Sequence, residues 1–157
     1  IQKATELGAH RVVPVLSERS VPDWDEAKAA AKVEKWRSVC IESIKQCGSA
    51  WLPTLEMPMT PSAAIEDARG AEVSLIATLQ SDAKHPRTHI DGYEAENGQA
   101  PKKLAIWVGP EGDYTPAEIN QIRGSALPIT LGPLVLRSET AAIYCLAFLN
   151  YELQSRP

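Results

Sequence analysis

The fold of this chain is decided by residues 104–118, which read LAIWVGPEGDYTPAE. The unbroken apolar run from Leu104 to Val108 predicts a strand in a parallel sheet that is covered on both faces. The run leads into the loop Gly109-Pro110-Glu111-Gly112. Thr115 and Glu118 then form a capping box with Pro116 at the first helical position, so a helix begins there. A strand that passes through a glycine-rich loop into a helix is the repeating unit of an α/β domain.

Strands and helices alternate in the same way along the rest of the chain. Strands are predicted over residues 12–16, 73–79 and 128–131, and helices over 1–7, 26–47, 61–68, 116–123 and from Ser138 or Thr140 to about Leu153. Asp23 or Asp25 is expected to cap the long helix. Residues 80–101 are polar, contain His85, Pro86 and Gly98, and are predicted to form a long loop. The order predicts an α/β fold, with a mostly parallel sheet and helices on both faces.

Composition narrows the class of protein. With 157 residues, 44% of them hydrophobic, the chain can form one globular domain, and it holds no apolar run of membrane-spanning length. Its net charge of −4 argues by itself against a nucleic-acid binder. Cys40, Cys47 and Cys145 are too few for a disulfide framework, which favours reduced core thiols in a cytosolic compartment.

Two loops rich in backbone groups follow predicted strands, and in an open α/β sheet ligands bind at that edge. The first is residues 109–112 and the second begins at Leu131-Gly132. Glycines let a ligand approach the backbone, and Pro110 stiffens its loop. Neither a Gly-x-Gly-x-x-Gly fingerprint nor a phosphate-binding P-loop is present, so a cofactor without phosphates, such as S-adenosylmethionine, fits better. The alternative is a tight turn from strand to helix without a ligand.

Charged side chains flank the start of the last helix. Arg137 is suited to grip a phosphate or a carbonyl oxygen. Glu139 is a candidate for proton transfer, although a carboxylate near a helix N-terminus is also stabilised there as a cap. His85 and His89 lack a third ligand at metal spacing, so no metal site is predicted.

Three segments together resemble one known family. They are residues 2–8 (QKATELG), 109–112 (GPEG) and 131–141 (LGPLVLRSETA). They are similar to the RsmE-type family of the SPOUT superfamily, whose members methylate N3 of a uridine in small-subunit (16S) ribosomal RNA. The helix around Trp36 and residues 42–48 also match, so the resemblance covers nearly the whole chain.

The resemblance implies a SPOUT-type methyltransferase domain over residues 1–157 with a C-terminal trefoil knot, acting as a cytoplasmic homodimer. A PUA-like RNA-binding domain and a first strand are expected ahead of Ile1. S-adenosylmethionine, which becomes S-adenosylhomocysteine, is implied as the cofactor, without a metal and without a membrane partner. The implied cofactor-binding residues are Leu79, Gly109, Pro110, Glu111, Gly112, Ile129, Leu131, Gly132, Leu136 and Ser138.

For catalysis, the resemblance leads us to expect two side chains at the start of the last helix. Arg137 is expected to stabilise negative charge on the uracil oxygens or to hold a flanking phosphate, and Glu139 to act as general base or to orient Arg137. The chain departs from the family pattern at Asp113, where glycine is usual, and at Ser49 and Leu134, where arginine is common. Two other functions stay open: a methyltransferase with another RNA target, such as a ribose 2′-hydroxyl, and a non-catalytic RNA-binding or ribosome-assembly module.

Overall fold

The computed structural model describes residues 1–20 and 25–154. Its elements in chain order are α1 (Gln2–Glu6), β1 (Arg11–Val12), α2 (Glu26–Cys47), β2 (Thr54–Leu55), α3 (Pro61–Asp67), β3 (Val73–Ala77), α4 (Pro86–Asn97), β4 (Leu104–Trp107), α5 (Pro116–Arg123), β5 (Leu127–Ile129) and α6 (Ser138–Gln154). Asp25 caps α2 by accepting a hydrogen bond from the backbone of Lys28. The other predicted cap, Asp23, lies outside the described residues. Gly48, with φ of 73°, ends α2 as predicted.

The main sheet is parallel, which confirms the prediction. β3 lies between β4 and β5, so that Leu75 pairs with Ile106 on one side and with Leu127 on the other. β1 and β2 form a separate parallel pair. The strand predicted over 12–16 is shorter than expected, because only Val12 belongs to β1 and Val15 makes an isolated bridge to Met59.

Helices cover both faces of the main sheet, also as predicted. Successive side chains of β3 point to opposite faces. Leu75 packs with Ile90 of α4 and with Cys145 and Leu149 of α6. Ile76 belongs to the opposite cluster, which contains Ala64 of α3 together with Ile119 and Ile122 of α5. Strand pairings do not show whether the chain passes through a loop of its own backbone. The C-terminal trefoil knot therefore stays a prediction.

The predicted loop over residues 80–101 is wrong, because most of it is the helix α4. His85 caps this helix by accepting a hydrogen bond from the backbone of Arg87 at its Nδ1 atom, 3.2 Å away. Pro86 stands at the first helical position, and Gly98 ends the helix with φ of 71°. The sequence therefore contained the residues that begin and end a helix. Histidine, proline and glycine are also common in loops, so with few apolar residues between them they did not indicate a helix. Ile90 is the fully buried apolar residue of α4.

An ion pair joins α4 to α6 on the same side of the sheet. The carboxylate of Glu152 is buried, with 4% of the residue exposed, and it accepts hydrogen bonds from the guanidinium of Arg87. A buried carboxylate needs such a partner, since leaving it uncompensated is costly. The contact therefore fixes how the last helix lies against the helix that precedes β4.

The cysteines are free in the described structure, and the expectation of core thiols holds for two of them. Cys40 and Cys145 are buried, whereas Cys47 is exposed. Burial raises the pKa of the Cys145 thiol to about 12. Among the described residues, no helix combines the length and the apolar character that crossing a membrane requires.

Candidate active site

A cleft with a volume of about 320 Å³ lies where the three strands of the main sheet end. Its walls come from the residues that follow β3, from the loop after β4, and from the segment that joins β5 to α6. The carboxyl ends of parallel strands meet at one edge of a sheet, and ligands of open α/β folds bind there. The strand order therefore brings together loops that are about fifty residues apart in sequence.

The first loop is a tight turn that encloses a carboxylate. The Asp113 amide donates to the carbonyl of Pro110 at 2.8 Å, and the Oδ1 atom of Asp113 accepts a hydrogen bond from the Tyr114 amide, also at 2.8 Å. A Cβ atom at position 109 would stand only 2.7 Å from that same Oδ1. Gly109 is therefore needed because the Asp113 carboxylate occupies the space where a side chain would be.

Tyr114 anchors the end of this loop in the core. Only 3% of the residue is exposed, and its hydroxyl donates to the carbonyl of Val108 at 3.2 Å. Burial raises the pKa of the Tyr114 hydroxyl well above its ordinary value, and the nearby Glu118 and Asp113 carboxylates act in the same direction. The phenol therefore stays neutral and keeps both ends of the loop joined.

The segment before α2 supports the same loop from outside the cleft. Glu118 accepts hydrogen bonds from the backbone of Thr115 and of Glu18, each at 2.8 Å. Arg19 donates from its Nη1 atom to the carbonyl of Gly112 at 2.7 Å. Burial tends to raise the pKa of Glu118, but the two backbone hydrogen bonds, the Thr115 hydroxyl and the charge of Arg19 together outweigh it, so the pKa is lowered. The capping box of α5 thus also ties two distant segments together.

The second loop is held by a backbone contact to the segment after β3 and by a local contact within the loop. Thr78 donates its amide to the carbonyl of Ile129 at 3.0 Å, and the Gly132 amide donates to Thr130 Oγ1 at 3.2 Å. Gly132 has φ of 109°, a conformation that residues with a Cβ rarely adopt. Beyond it, Leu134 and Val135 are 73% and 78% exposed, so this loop presents apolar side chains at the rim of the cleft.

Most of the predicted cofactor-binding residues line the cleft. These are Leu79, Gly109, Pro110, Glu111, Leu131, Gly132, Leu136 and Ser138. Two others are not among the lining residues. Ile129 is 1% exposed and belongs to the core, where its carbonyl supports the second loop. Gly112 contacts Arg19 with its carbonyl.

The two predicted catalytic residues are placed differently. Arg137 lines the cleft, is exposed, and immediately precedes α6. It is the only cation among the described residues that line the cleft, where Glu111 and Asp113 are the carboxylates. Glu139 stands in the first turn of α6, exposed and outside the lining. The positive end of the helix dipole stabilises a carboxylate at that position.

Several lining residues were not named individually as cofactor-binding residues, although some of them belong to the predicted loops. They are Ala77, Thr78, Val108, Asp113, Leu134, Val135 and Ala141. The strand ends signal the first three, because the last residue of a parallel strand and the residue that follows it lie near the same edge of the sheet. No signal in the sequence shows that Asp113, Leu134 and Val135 face the cleft, since the direction of a loop side chain depends on backbone angles that only the structure gives.

The donor set of the cleft suits a nucleoside-like ligand that carries no phosphates. One arginine faces two carboxylates, which is a poor charge balance for a polyphosphate. Among the described residues, the backbone amides of Glu111 and Leu136 donate no hydrogen bond to other parts of the chain, so they are available to a ligand. The described residues contain no group of three His, Cys, Asp or Glu side chains that could hold a metal ion.

Comparison with known proteins points to one kind of domain. A family model described as an RNA methyltransferase domain matches residues 1–150. Ribosomal RNA small subunit methyltransferase E of Bacillus subtilis (strain 168) is 31% identical over 157 residues, which cover 98% of this chain and 60% of that protein. The protein of the same name from Synechocystis is 29% identical, with 99% and 49% covered. The chain thus spans about half to three fifths of the length of these relatives.

Solved structures with the same fold contain the cofactor predicted from the loops. A chain from Legionella pneumophila, described as a methyltransferase in complex with the bound cofactor SAM, matches with a TM-score of 0.85 and 33% identity, over 96% of this chain and 59% of the other. A ribosomal RNA small subunit methyltransferase E from Neisseria gonorrhoeae, bound to S-adenosyl methionine, matches with a TM-score of 0.78 and 26% identity, over 96% and 58%.

Proposed function

This chain belongs to the RNA methyltransferase domain family, and we propose on that premise that it transfers a methyl group from S-adenosylmethionine to N3 of a uridine in small-subunit (16S) ribosomal RNA. The observation that carries the proposal is the cleft at the carboxyl edge of the sheet, with two backbone-rich loops as walls and Arg137 in its lining. The names and bound ligands of the related proteins support both the donor and the acceptor. The cytoplasm, where ribosomal RNA is modified, is the compartment we propose.

The cleft fits the methyl donor in size and in chemistry. A volume of about 320 Å³ lies within the range of small-molecule sites. The amides of Glu111 and Leu136 are suited to an adenine edge or a ribose, while Leu79, Val108 and Leu131 provide apolar contacts. When bound, S-adenosylmethionine supplies an electrophilic methyl group whose bond to a positively charged sulfur breaks as the bond to N3 forms.

The acceptor requires help from the protein, because N3 of uridine carries a proton that must leave. Arg137 faces the cleft just ahead of the N-terminus of α6, and both the guanidinium and the helix dipole favour negative charge there. We assign to Arg137 the stabilisation of the charge that develops on the uracil oxygens. Glu139, in the first turn of α6, is the proposed base or the group that orients Arg137.

We further propose that the domain acts as a homodimer through α6. Three large side chains of this helix remain exposed: Ile143 at 39%, Tyr144 at 49% and Tyr151 at 70%. Exposed apolar groups that repeat along one helix are typical of a surface that packs against a partner. A second subunit would cover the helix that begins beside the cleft.

The test is methylation of small-subunit RNA that lacks the modification, followed by mass analysis of the nucleosides. The proposal predicts base-methylated uridine at N3 and consumption of S-adenosylmethionine. Methylation of a ribose 2′-hydroxyl would replace the proposed acceptor by the alternative one. If the protein neither binds S-adenosylmethionine in calorimetric titration nor methylates RNA, the proposal is wrong, and binding of RNA alone would then favour the non-catalytic module.

A further inference from the structure

We propose that Asp113 is a specificity-determining residue, whose carboxylate makes the cleft bind the positively charged methyl donor in preference to the demethylated product. The inference rests on the proposed function, since it takes S-adenosylmethionine as the ligand of the cleft. It concerns the side chain of a residue that lines the cleft and to which the proposed reaction gives no role.

The backbone of Asp113 has an unusual conformation for a residue with a side chain. Its φ is +57°, and among the described residues it is the only one other than glycine with a positive φ. A Cβ atom makes this left-handed conformation unfavourable, whereas glycine adopts it freely. Aspartate can adopt it when its side chain makes a local hydrogen bond, as the Oδ1 atom does with the Tyr114 amide, so this backbone angle fixes the direction of the carboxylate.

The carboxylate of Asp113 is held in one place. Its Oδ1 atom accepts a hydrogen bond from the Tyr114 amide at 2.8 Å and lies against Gly109, where a Cβ would come within 2.7 Å. The Oδ2 atom has no hydrogen-bond partner among the described residues. The residue is half-buried, in contrast to the exposed Glu111 of the same loop. The negative charge of Asp113 is therefore fixed beside the cleft and is less screened by water than that of Glu111.

The methyl donor and its product differ mainly in the positive charge on sulfur, to which a fixed negative charge responds. S-adenosylmethionine and S-adenosylhomocysteine share the adenosine and the amino-acid group, so contacts to those parts cancel when the affinities are compared. The donor has one additional methyl group and one additional positive charge on sulfur. For a sulfur about 10 Å from the carboxylate, in a cleft of about 320 Å³ and at the dielectric of a partly exposed site, the charge would contribute about two- to ten-fold in affinity.

The experiment is calorimetric titration of the wild-type protein and of Asp113→Asn with each ligand separately. Asparagine keeps the acceptor oxygen for the Tyr114 amide and tolerates a positive φ, but it removes the charge. We expect the ratio of the Kd for S-adenosylhomocysteine to the Kd for S-adenosylmethionine to fall two- to ten-fold in D113N, with the product Kd unchanged within about two-fold. Glu96→Gln, which neutralises an exposed carboxylate of α4 outside the cleft, is the matched control and should leave the ratio unchanged.

A second variant tests whether a changed conformation of the loop, and not the lost charge, explains the result for D113N. Asp113→Gly removes the unfavourable φ together with the charge, so we expect it to lower the ratio as D113N does while the midpoint of thermal unfolding stays within a few degrees. An unchanged ratio in both variants would overturn the inference. So would an equal loss of affinity for both ligands, because it would make Asp113 a contact to their common part. Failure of the wild-type protein to bind either ligand would overturn the proposed function and this inference with it.

Discussion

Arg137 is the residue whose replacement separates catalysis from cofactor binding. We expect Arg137→Ala to lower the rate of methyl transfer by about 100- to 1,000-fold, because a preorganised positive charge at a developing anion is worth that much. The affinity for S-adenosylmethionine should not fall, because Arg137 and the sulfonium carry charges of the same sign and the other lining groups are unchanged. Arg137→Lys should recover part of the rate, because the charge returns without the planar fork. Single-turnover kinetics and calorimetric titration measure the two quantities.

Full activity of R137A would contradict the role given to Arg137. Glu139→Gln, measured beside it, distinguishes a base from a helix cap. Loss of a base lowers the rate by about 100-fold or more and changes its dependence on pH. Loss of favourable charge at the N-terminus of α6 changes the free energy of unfolding by only about 0.5 kcal/mol and leaves the rate unaltered.

At the scale of single residues, the sequence predicted which backbone segments line the cleft better than it predicted which side chains do. Gly109 and Gly132 were predicted as ligand contacts because glycine-rich loops after strands leave room for one, and both line the cleft. Asp113 was noted only as a departure from the family pattern and not as a lining side chain, because the direction of its side chain depends on a φ angle that the sequence does not reveal. Ile129 illustrates the opposite case: the loop was placed correctly, but the side chain points into the core and only the carbonyl serves the site.

Among the elements, the capping box of α5 provides the most direct test of how the first loop is held. Gln at position 118 offers one acceptor oxygen where Glu offers two, so the amide of either Glu18 or Thr115 loses its partner. We expect Glu118→Gln to lower the free energy of unfolding by about 1 kcal/mol and to weaken binding of S-adenosylmethionine. Denaturant unfolding measures the first effect and calorimetry the second. Asn120→Gln, at an exposed position of α5 outside the capping box, is a control for the helix itself.

The difference between wild type and E118Q should depend on pH in a defined direction. The pKa of Glu118 is lowered by folding, so the ionised carboxylate stabilises the folded protein above its ordinary pKa of about 4.5. As the pH falls through the lowered folded pKa, this contribution is lost. The two stability curves should therefore approach each other in acid and lie apart at neutral pH. A constant difference at every pH would contradict this account.

The longer helices were predicted where capping residues and apolar periodicity agreed. α2 and α5 have capping residues, apolar periodicity and a closing glycine, and the structure confirms both. α4 has the cap and the closing glycine but little apolar periodicity, because it rests on the sheet mainly through Ile90. The short β1 was overestimated, since a run of valines does not show where its hydrogen-bonding partner ends.

For the whole molecule, the proposed homodimer makes a prediction about mass in solution. Replacing Ile143 and Tyr151 together by Glu places two charges on the exposed face of α6, and we expect sedimentation to shift from a dimer to a monomer. Ala95→Glu, on the exposed side of α4, should leave the dimer intact. A wild-type protein that sediments as a monomer at every concentration would contradict the proposal.

The central claim is that the methyl donor binds at the carboxyl edge of the main sheet, between the two loops. Hydrogen exchange of the full chain, measured by mass spectrometry with and without S-adenosylmethionine, tests this most directly, because it localises the ligand without requiring RNA or turnover. The account predicts slower exchange in peptides that cover residues 77–79, 108–114 and 131–138, with α2 unaffected. Protection confined to other segments, or no protection at a saturating concentration, would contradict it.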